Sequence, residues 1–148
     1  MTIKKLMKPG DYHLVVNGQA QRMAAFDHTG KKLWTIPCRP WGQHRHWREP
    51  YGDTPPGLYK CGVVYDTKGE DAYGPYCIDM IDLEDQETGS GRAGISLHGG
   101  GTGLPDPHAP YQGWKNTHGC LRVQNADLME KVLPLVQRRG DTFITVVL

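Results

Sequence analysis

The strongest constraint on the fold is the dipeptide Asn17-Gly18, which lies between two short runs of strand-forming residues. An Asn-Gly pair favours the tight turn of a β-hairpin, because both residues tolerate positive φ angles. The run at 12–16 alternates as a strand does, and the run at 21–26 predicts the returning strand. A further turn leads into a third run at 32–36. The beginning of the chain is therefore predicted to be a β meander.

The rest of the chain carries more strand-like runs between turn residues, at 58–66, 76–83, 93–98 and 143–148. The 148 residues include 19 glycines and 11 prolines, an abundance that suits a β-rich, turn-rich fold. Apolar residues repeat at helical spacing after Asn125, which predicts one helix with Asn125 as its N-cap. Pro134 and Gly140 are expected to kink or end it. Length and pattern together predict one β-rich domain, residues 1–148.

A cysteine and a histidine in the second half of the chain carry the candidate chemistry. Cys120 lies in the run THGCLR at 117–122, and His98 ends an apolar run and is followed by three glycines. A thiol is a nucleophile only as its thiolate, so it needs a base to take its proton, and an imidazole suits that role. Both His98 and His118 are candidates for the base. The neighbouring glycines allow backbone to approach a substrate closely.

These residues resemble the catalytic motif of the L,D-transpeptidases, the cysteine enzymes that cross-link bacterial peptidoglycan. That family has a strand ending in His-Gly, a variable loop, then Ser/Thr-His-Gly-Cys, an aliphatic residue and Arg or Asn. Here the His-Gly pair is at 98–99, the loop spans 100–116, and THGCLR at 117–122 matches at every position. The run TPPGLY at 54–59 is similar to a second family motif, Thr-Pro-x-Gly-x-aromatic. The resemblance implies a mainly β, sandwich-like L,D-transpeptidase domain with one principal helix after the catalytic cysteine.

The resemblance also implies catalytic roles. Cys120 is the nucleophile, and His98 is the base, oriented by the main-chain carbonyl of Gly99. The backbone N–H groups of Gly119 and Cys120 are expected to form the oxyanion hole, which His118 helps to shape.

Four further residues are expected to bind substrate. Arg122 is predicted to organise the site or to pair with a substrate carboxylate, which a guanidinium does well. Thr117, which begins the THGCLR run, is assigned to the same group. Tyr111 and Trp114 in the long loop are expected to act as a lid. The resemblance implies no metal and no cofactor.

The implied substrate is the tetrapeptide stem of peptidoglycan. Cys120 is expected to attack the bond after the third stem residue and release D-alanine. A second stem, water or a D-amino acid then resolves the thioester, giving a cross-link, a shortened stem or an exchanged terminal residue. The sequence does not separate these outcomes, because they differ in the acceptor and not in the nucleophile. A carbapenem is expected to acylate Cys120 by the same attack.

Charge and hydropathy restrict other partners. The net charge of +1 gives no argument for binding nucleic acid or an anionic membrane. No apolar run approaches the roughly 20 residues that span a bilayer. The segment 1–14 lacks the apolar core and cleavage site of a secretory signal. Because the implied substrate lies in the periplasm or cell wall, we expect a truncated chain or export by another route. A phage enzyme or an injected effector with an immunity or delivery partner fits that description.

Two other classes of function stay open. One is a zinc hydrolase, whose candidate ligands are His98, His108, His118 and Cys120. The spacing of these residues matches no short zinc motif. The other is a non-catalytic peptidoglycan-binding module, which predicts that Cys120→Ala keeps all function. Of the remaining cysteines, Cys61 and Cys77 are expected to be inert core thiols.

A long loop at 37–57 is dense in proline, glycine, aromatic and histidine residues. Loops of this length in a compact domain are usually functional or disordered. Its cluster HRHWR at 44–48 therefore has two interpretations, the rim of a substrate cleft or a solvated loop.

Overall fold

The computed structural model describes residues 7–84 and 93–148. Within these ranges the chain forms eight strands and one helix of 12 residues, so the prediction of a mainly β domain with one principal helix is confirmed. The helix, α1, has α-helical parts at Asn125–Asp127 and Leu133–Val136 on either side of a π-helical turn at Leu128–Val132. The strands are β1 (Tyr12–Asn17), β2 (Arg22–Asp27), β3 (Lys32–Pro37), β4 (Gly57–Asp66), β5 (Tyr76–Asp82), β6 (Ser96–His98), β7 (Leu121–Arg122) and β8 (Thr142–Val147).

The strands form one curled sheet in the order β3-β2-β1-β8-β4-β5-β6-β7. The predicted meander is present, since β1 pairs antiparallel with β2 and β2 pairs antiparallel with β3. The last strand, β8, lies between β1 and β4, parallel to β1 and antiparallel to β4. The end of the chain therefore joins the meander to the half of the sheet that carries His98.

Alternate strand positions share one hydrophobic cluster with α1. The fully buried members include Leu14, Ile144 and Leu97 from the strands and Leu128 and Val132 from the helix. Burying an aliphatic side chain of this size contributes about 1.5–3 kcal/mol. Packing against this cluster determines which face of each strand is buried in the core. The opposite face of β6 and β7 is therefore available for a functional site.

The segment after Cys120 differs from the sequence analysis in two ways. Leu121–Arg122 form a short strand, β7, which was not predicted and which pairs in parallel with β6. The N-cap of α1 is Gln124 and not Asn125, and Gln124 makes no side-chain capping bond. Asn125 is the first helical residue, and its side chain binds the long loop before Cys120 instead. Tertiary hydrogen bonds thus outweigh the local capping preference.

The π turn of α1 accounts for how the helix tolerates Pro134. Proline has no N–H to donate to the carbonyl four residues earlier. Just before it, the Leu133 N–H donates to the Leu128 carbonyl, a five-residue spacing that widens the helix. The helix ends at Val136, ahead of Gly140. No helix in the described ranges is long and apolar enough to cross a membrane.

Candidate active site

Strands β6 and β7 bring Cys120, His98 and Arg122 to one face of the sheet. The two strands pair with Leu97 opposite Leu121 and His98 opposite Arg122. Both leucines are fully buried in the core, so alternation along each strand turns their neighbours to the opposite face. The histidine at the end of β6 and the cysteine just before β7 therefore lie on the same face of the sheet.

This face opens into a cavity of about 710 Å³, a volume typical of sites for small ligands. All five polar motif residues line it: His98, Thr117, His118, Cys120 and Arg122. Its other walls include Tyr51, Tyr73, Thr102 and Lys115. The structure thus gathers the predicted catalytic residues around one open space.

The sulfur of Cys120 is half-buried and lies beside two oxygen atoms. The thiol donates to the Gly94 carbonyl oxygen at 3.7 Å, and Ser96 Oγ on β6 lies 3.7 Å from the sulfur. All four cysteines fall within the described ranges and are free thiols, so no disulfide there occupies Cys120. Burial raises the pKa of Cys61 to about 12 and also raises the pKa of Cys38, so both stay protonated.

His98 is held by main chain on one side and by an aromatic ring on the other. Its Nδ1 lies 2.8 Å from the Gly99 carbonyl oxygen, so Nδ1 carries the hydrogen and Nε2 keeps its lone pair. The ring of Tyr73 meets the imidazole in a T-shaped contact with centroids 5.0 Å apart. Burial lowers the pKa of His98 to about 4, and the Arg122 charge acts in the same direction. At neutral pH the imidazole is therefore uncharged and can accept a proton.

The buried imidazole predicts a loss of stability as the pH falls from about 6.5 to about 4. The pKa of His98 is about 4 in the folded chain, whereas an unfolded histidine has a pKa of about 6.5. In this window the unfolded state takes up a proton that the folded state does not. The free energy of unfolding is therefore expected to fall by roughly 3 kcal/mol. Urea unfolding of the wild type and of His98→Gln across this pH range measures the difference.

The glutamine variant lacks the titrating ring, so its stability should fall less than that of the wild type across this pH range. Subtracting the two curves removes contributions common to both proteins, such as that of His13, whose pKa is also lowered by burial. Parallel curves for the two proteins would contradict the assignment of this loss to His98.

Arg122 is 4% exposed, and its guanidinium binds three main-chain carbonyl groups. Nε donates to the Gly99 oxygen at 3.3 Å, and Nη2 donates to the Ala72 oxygen at 3.0 Å. Nη1 donates to the Lys115 oxygen. The Gly99 carbonyl therefore accepts from both His98 and Arg122. Arg122 thus holds the group that orients the candidate base.

A hydrogen-bond network closes the turn before Cys120. Thr117 Oγ accepts from the Gly119 N–H at 2.9 Å and donates to the Cys120 carbonyl at 2.8 Å. Thr54 Oγ donates to the Gly119 carbonyl at 2.6 Å, which ties the TPPGLY segment to this turn. Gly119 has a φ of 113°, where a side chain would be strained. Thr117 is therefore a buried support of the turn, and it occupies the N–H expected to serve the oxyanion hole.

Side chains hold the long loop 100–116 against the start of α1. Asn125 Oδ1 accepts from the Gly100 N–H at 2.9 Å, and Asn125 Nδ2 donates to the Ala109 carbonyl at 2.8 Å. Gln112 Oε1 accepts from the Asn125 N–H at 2.8 Å. These bonds fix the loop at several points, which sequence spacing alone did not indicate.

The two residues expected to form a lid lie outside the cavity. Tyr111 is 69% exposed and does not line it. Trp114 packs under the guanidinium of Arg39, whose central carbon lies 4.7 Å from the ring centroid. The aromatic side chains of the described cavity wall come from elsewhere in the chain.

Two tyrosines that belong to no recognisable motif, Tyr51 and Tyr73, line the cavity instead. The ring of Tyr51 contacts the ring of His118, with centroids 4.6 Å apart, and Tyr73 is the ring against the candidate base. Tyr51 also has a φ of 62°, which is uncommon for a residue other than glycine. Tyr51 lies in the loop at 37–57, whose length is typical of functional loops, and it follows the 44–48 cluster closely. Tyr73 lies in the polar connection between β4 and β5, and no pattern in the sequence marks it.

The candidate zinc ligands do not gather at one point. His108 Nε2 lies 2.8 Å from Asp71 Oδ1 on the exposed surface and does not line the cavity. In the part of the chain that the structure describes, no three His, Cys, Asp or Glu side chains are arranged to hold a metal ion. The geometry therefore gives no support to the zinc-hydrolase alternative.

Comparison with known proteins gives a family match and a shared fold. The sequence model of YkuD, the L,D-transpeptidase catalytic domain, matches residues 11–144. No curated protein sequence matches the chain significantly. The solved structure of Bd1075 from Bdellovibrio bacteriovorus is similar with a TM-score of 0.66 and 20% sequence identity, over 92% of this chain and 47% of that chain.

Two further solved structures share the fold. Pgp2, the helical cell shape determining protein of Campylobacter jejuni, gives a TM-score of 0.61 at 16% identity, over 91% of this chain and 46% of that chain. L,D-transpeptidase 1 of Mycobacterium tuberculosis gives 0.54 at 16% identity, over 93% and 62%.

The chain spans about half the length of the first two of these structures. At these identities the structural likeness establishes the fold, and the match to the sequence model establishes the family. That match covers most of the chain and includes every residue of the site described above. The chain therefore belongs to the YkuD family of L,D-transpeptidase catalytic domains.

Proposed function

We propose that this chain is a cysteine acyltransferase that acts on the tetrapeptide stems of bacterial peptidoglycan. The observation that carries the proposal is the pairing of β6 with β7, which directs Cys120 and His98 into one open cavity. The neutral imidazole supplies a base in the same cavity as the Cys120 thiol, the two groups that nucleophilic catalysis by cysteine requires. Family membership supports the choice of substrate class.

In the acylation step His98 Nε2 takes the proton of the Cys120 thiol, and the thiolate attacks the carbonyl carbon after the third stem residue. A carbon–sulfur bond forms as the amide carbon–nitrogen bond breaks. The imidazolium returns its proton to the departing amine, so D-alanine leaves as a neutral amine. The stem remains on Cys120 as a thioester.

In the second step an acceptor attacks the thioester carbonyl. His98 takes a proton from the acceptor as it attacks, and returns it to the Cys120 sulfur as the thiolate leaves. The side-chain amine of another stem gives a 3→3 cross-link, water gives a tripeptide stem, and a D-amino acid gives an exchanged terminal residue. The nucleophile and the base are the same in all three outcomes.

The oxyanion hole requires a small rearrangement in the turn. The Gly119 N–H faces Thr117 Oγ in the resting structure. We infer that the tetrahedral oxyanion replaces the hydroxyl as the acceptor of this N–H, because a charged acceptor forms the stronger bond. The Thr117 hydroxyl keeps the Cys120 carbonyl as its own partner.

We assign recognition of a substrate carboxylate to Lys115 and the organising role to Arg122. All three guanidinium nitrogens of Arg122 bind main-chain carbonyls. Lys115 is exposed, lines the cavity, and donates from Nζ to the Thr102 carbonyl. An ammonium group has three donors, so this contact leaves capacity for a carboxylate. Tyr51 and Tyr73 take the wall position first assigned to Tyr111 and Trp114.

Incubation with purified tetrapeptide muropeptides, analysed by mass spectrometry, tests the proposed function. We expect the wild type to release D-alanine and Cys120→Ala to give no product. Muropeptide dimers, tripeptide stems and exchanged stems differ in mass, so the same spectra identify the acceptor. A carbapenem is expected to add its mass to the peptide that contains Cys120.

Two inhibitors separate the thiol mechanism from its alternatives. Turnover that survives EDTA and is lost to iodoacetamide supports the nucleophilic cysteine. Turnover that is lost to EDTA and survives iodoacetamide would overturn the thiol mechanism. The same product profile from Cys120→Ala and the wild type would overturn it too. Stem binding without any turnover in either protein would favour the non-catalytic module.

The proposed substrate sets the site of action in the periplasm or cell wall. An immunity or delivery protein is the partner expected if the chain is an injected effector. Growth inhibition when the chain is directed to the periplasm of a susceptible bacterium, absent for Cys120→Ala, is the result expected of such an effector.

A further inference from the structure

We propose that Ser96 is a further catalytic residue, whose hydroxyl donates a hydrogen bond to the Cys120 thiolate, and that Cys77 positions this hydroxyl. The inference rests on the proposed function of Cys120 as the nucleophile. It is carried by three polar side chains on one face of the sheet: Cys77 on β5, Ser96 on β6, and Cys120 immediately before β7.

The register of the sheet brings these side chains to one face. Ser96 on β6 lies opposite Asp79 on β5, and Cys77 lies opposite His98, the next residue on the same face of β6. Leu97 is fully buried, so alternation along β6 turns Ser96 and His98 together toward the cavity face. Ser96 Oγ lies 3.7 Å from Cys120 Sγ on one side. Ser96 also neighbours Cys77: its side-chain hydrogen bond lowers the pKa of the Cys77 thiol, against the larger effect of burial, which raises that pKa.

Which of the two neighbouring sulfurs accepts a hydrogen bond from Ser96 depends on which of them is protonated. A serine hydroxyl has one hydrogen to donate and can also accept, while two sulfurs compete for it here. Burial is the main cause that raises the pKa of Cys77, so this thiol keeps its hydrogen. A protonated Cys77 is a weaker acceptor than the Cys120 thiolate, so the Ser96 hydroxyl is expected to donate its hydrogen to Cys120 once that thiolate forms.

The Cys120 sulfur changes from donor to acceptor as it is activated. As a thiol it donates to the Gly94 carbonyl oxygen at 3.7 Å. Once His98 has taken the proton, the sulfur has only lone pairs, and the Gly94 oxygen can no longer bond to it. The Ser96 hydroxyl lies at the same distance and can donate. Ser96 therefore favours the thiolate over the thiol.

A hydrogen bond to the charged form lowers the pKa of a thiol. We expect Ser96→Ala to raise the apparent pKa of Cys120 by about one unit, a tenfold change in the thiolate equilibrium. Ser96→Thr keeps the hydroxyl and should restore the wild-type value. Cys77→Ala should shift the pKa in the same direction by less, and Cys77→Ser, which keeps a hydrogen-bonding side chain, should not.

Iodoacetamide labelling of the whole chain across pH, quantified on the Cys120 peptide by mass spectrometry, tests this inference. At pH 7 the Ser96→Ala variant is expected to react about 5- to 10-fold more slowly, while its rate at high pH stays within about twofold of the wild type. A merely structural role would lower the rate at every pH.

Three results would overturn the proposal or part of it. Coincident pH profiles for the wild type and Ser96→Ala remove the role of Ser96. Equal shifts in Ser96→Ala and Ser96→Thr do so too, because the hydroxyl is then not the cause. A Cys77→Ala profile that matches the wild type removes the role of Cys77.

The labelling reaction uses no stem peptide, so the inference and the proposed function can fail separately. Coincident profiles in a protein that still releases D-alanine overturn the inference alone. A shifted profile in a protein that leaves tetrapeptide stems intact supports Ser96 and overturns the proposed substrate.

Discussion

Replacing His98 with glutamine is expected to slow the acylation of Cys120 by about 10²- to 10⁴-fold at pH 7. The glutamine amide can still donate to the Gly99 carbonyl that holds Nδ1 in the wild type. It cannot take a proton, so the variant keeps the local bonding and loses the base. Single-turnover acylation by a carbapenem or a stem peptide, measured by mass spectrometry, gives the rate directly.

The matched control is His108→Gln. His108 pairs with Asp71 on the exposed surface and does not line the cavity, so this variant should react at nearly the wild-type rate. A comparable loss in His108→Gln would favour the metal-dependent alternative. A wild-type rate in His98→Gln would contradict the assignment of the base.

The pH profile gives the same prediction a second test. The base acts only when neutral, and the pKa of His98 is about 4 in the folded chain. The acid limb of kcat/KM, which reports the free enzyme, should therefore lie near pH 4 rather than near the ordinary histidine value of about 6.5. Circular dichroism at each pH confirms that the rate is measured on folded protein. An acid limb near pH 6.5 would show that an exposed histidine is the base.

The elements that could be predicted from the sequence are those whose signals are local. The β1–β2 hairpin could be predicted from its flanking alternation, and β8 from its β-branched run. The predicted tight turn at Asn17-Gly18 is wrong, because Asn17 is still in β1, paired with Arg22, and residues 18–21 connect the two strands. Strand β7 could not be predicted, because Leu121–Arg122 is too short to show a period. It exists because β6 pairs with it and because Leu121 is buried in the core. Its existence sets the geometry of the whole site.

The residues of the site also divide into those with a local sequence signal and those without one. Cys120 and His98 could be identified because chemistry and a motif mark them. Tyr73 could not be, since it reaches the cavity through a tertiary bond in which the Gly99 N–H donates to its carbonyl at 3.0 Å. Ser96 and Lys115 likewise gain significance only from what lies opposite them. A motif therefore locates the nucleophile, while the walls that select a substrate depend on pairings far apart in the chain.

Replacing Arg122 with methionine is expected to destabilise the chain by about 2–4 kcal/mol. The change removes the guanidinium donor from the Ala72 and Lys115 carbonyls, at a cost of about 1–3 kcal/mol for each that stays buried, while the Gly99 carbonyl keeps its bond from His98. Removing a buried charge offsets part of that sum. Urea unfolding at pH 7 measures the net loss. A change below about 1 kcal/mol would mean that water or other donors replace the guanidinium.

Arg122→Lys separates the charge of this residue from its geometry. An ammonium group lacks the planar fork, so lysine should lose most of the same stability, yet it keeps the positive charge near His98. That charge lowers the pKa of His98, so the methionine variant should move the acid limb of catalysis to higher pH. The lysine variant should leave the limb in place. If both variants move it equally, the effect comes from altered burial of the imidazole and not from the charge of Arg122.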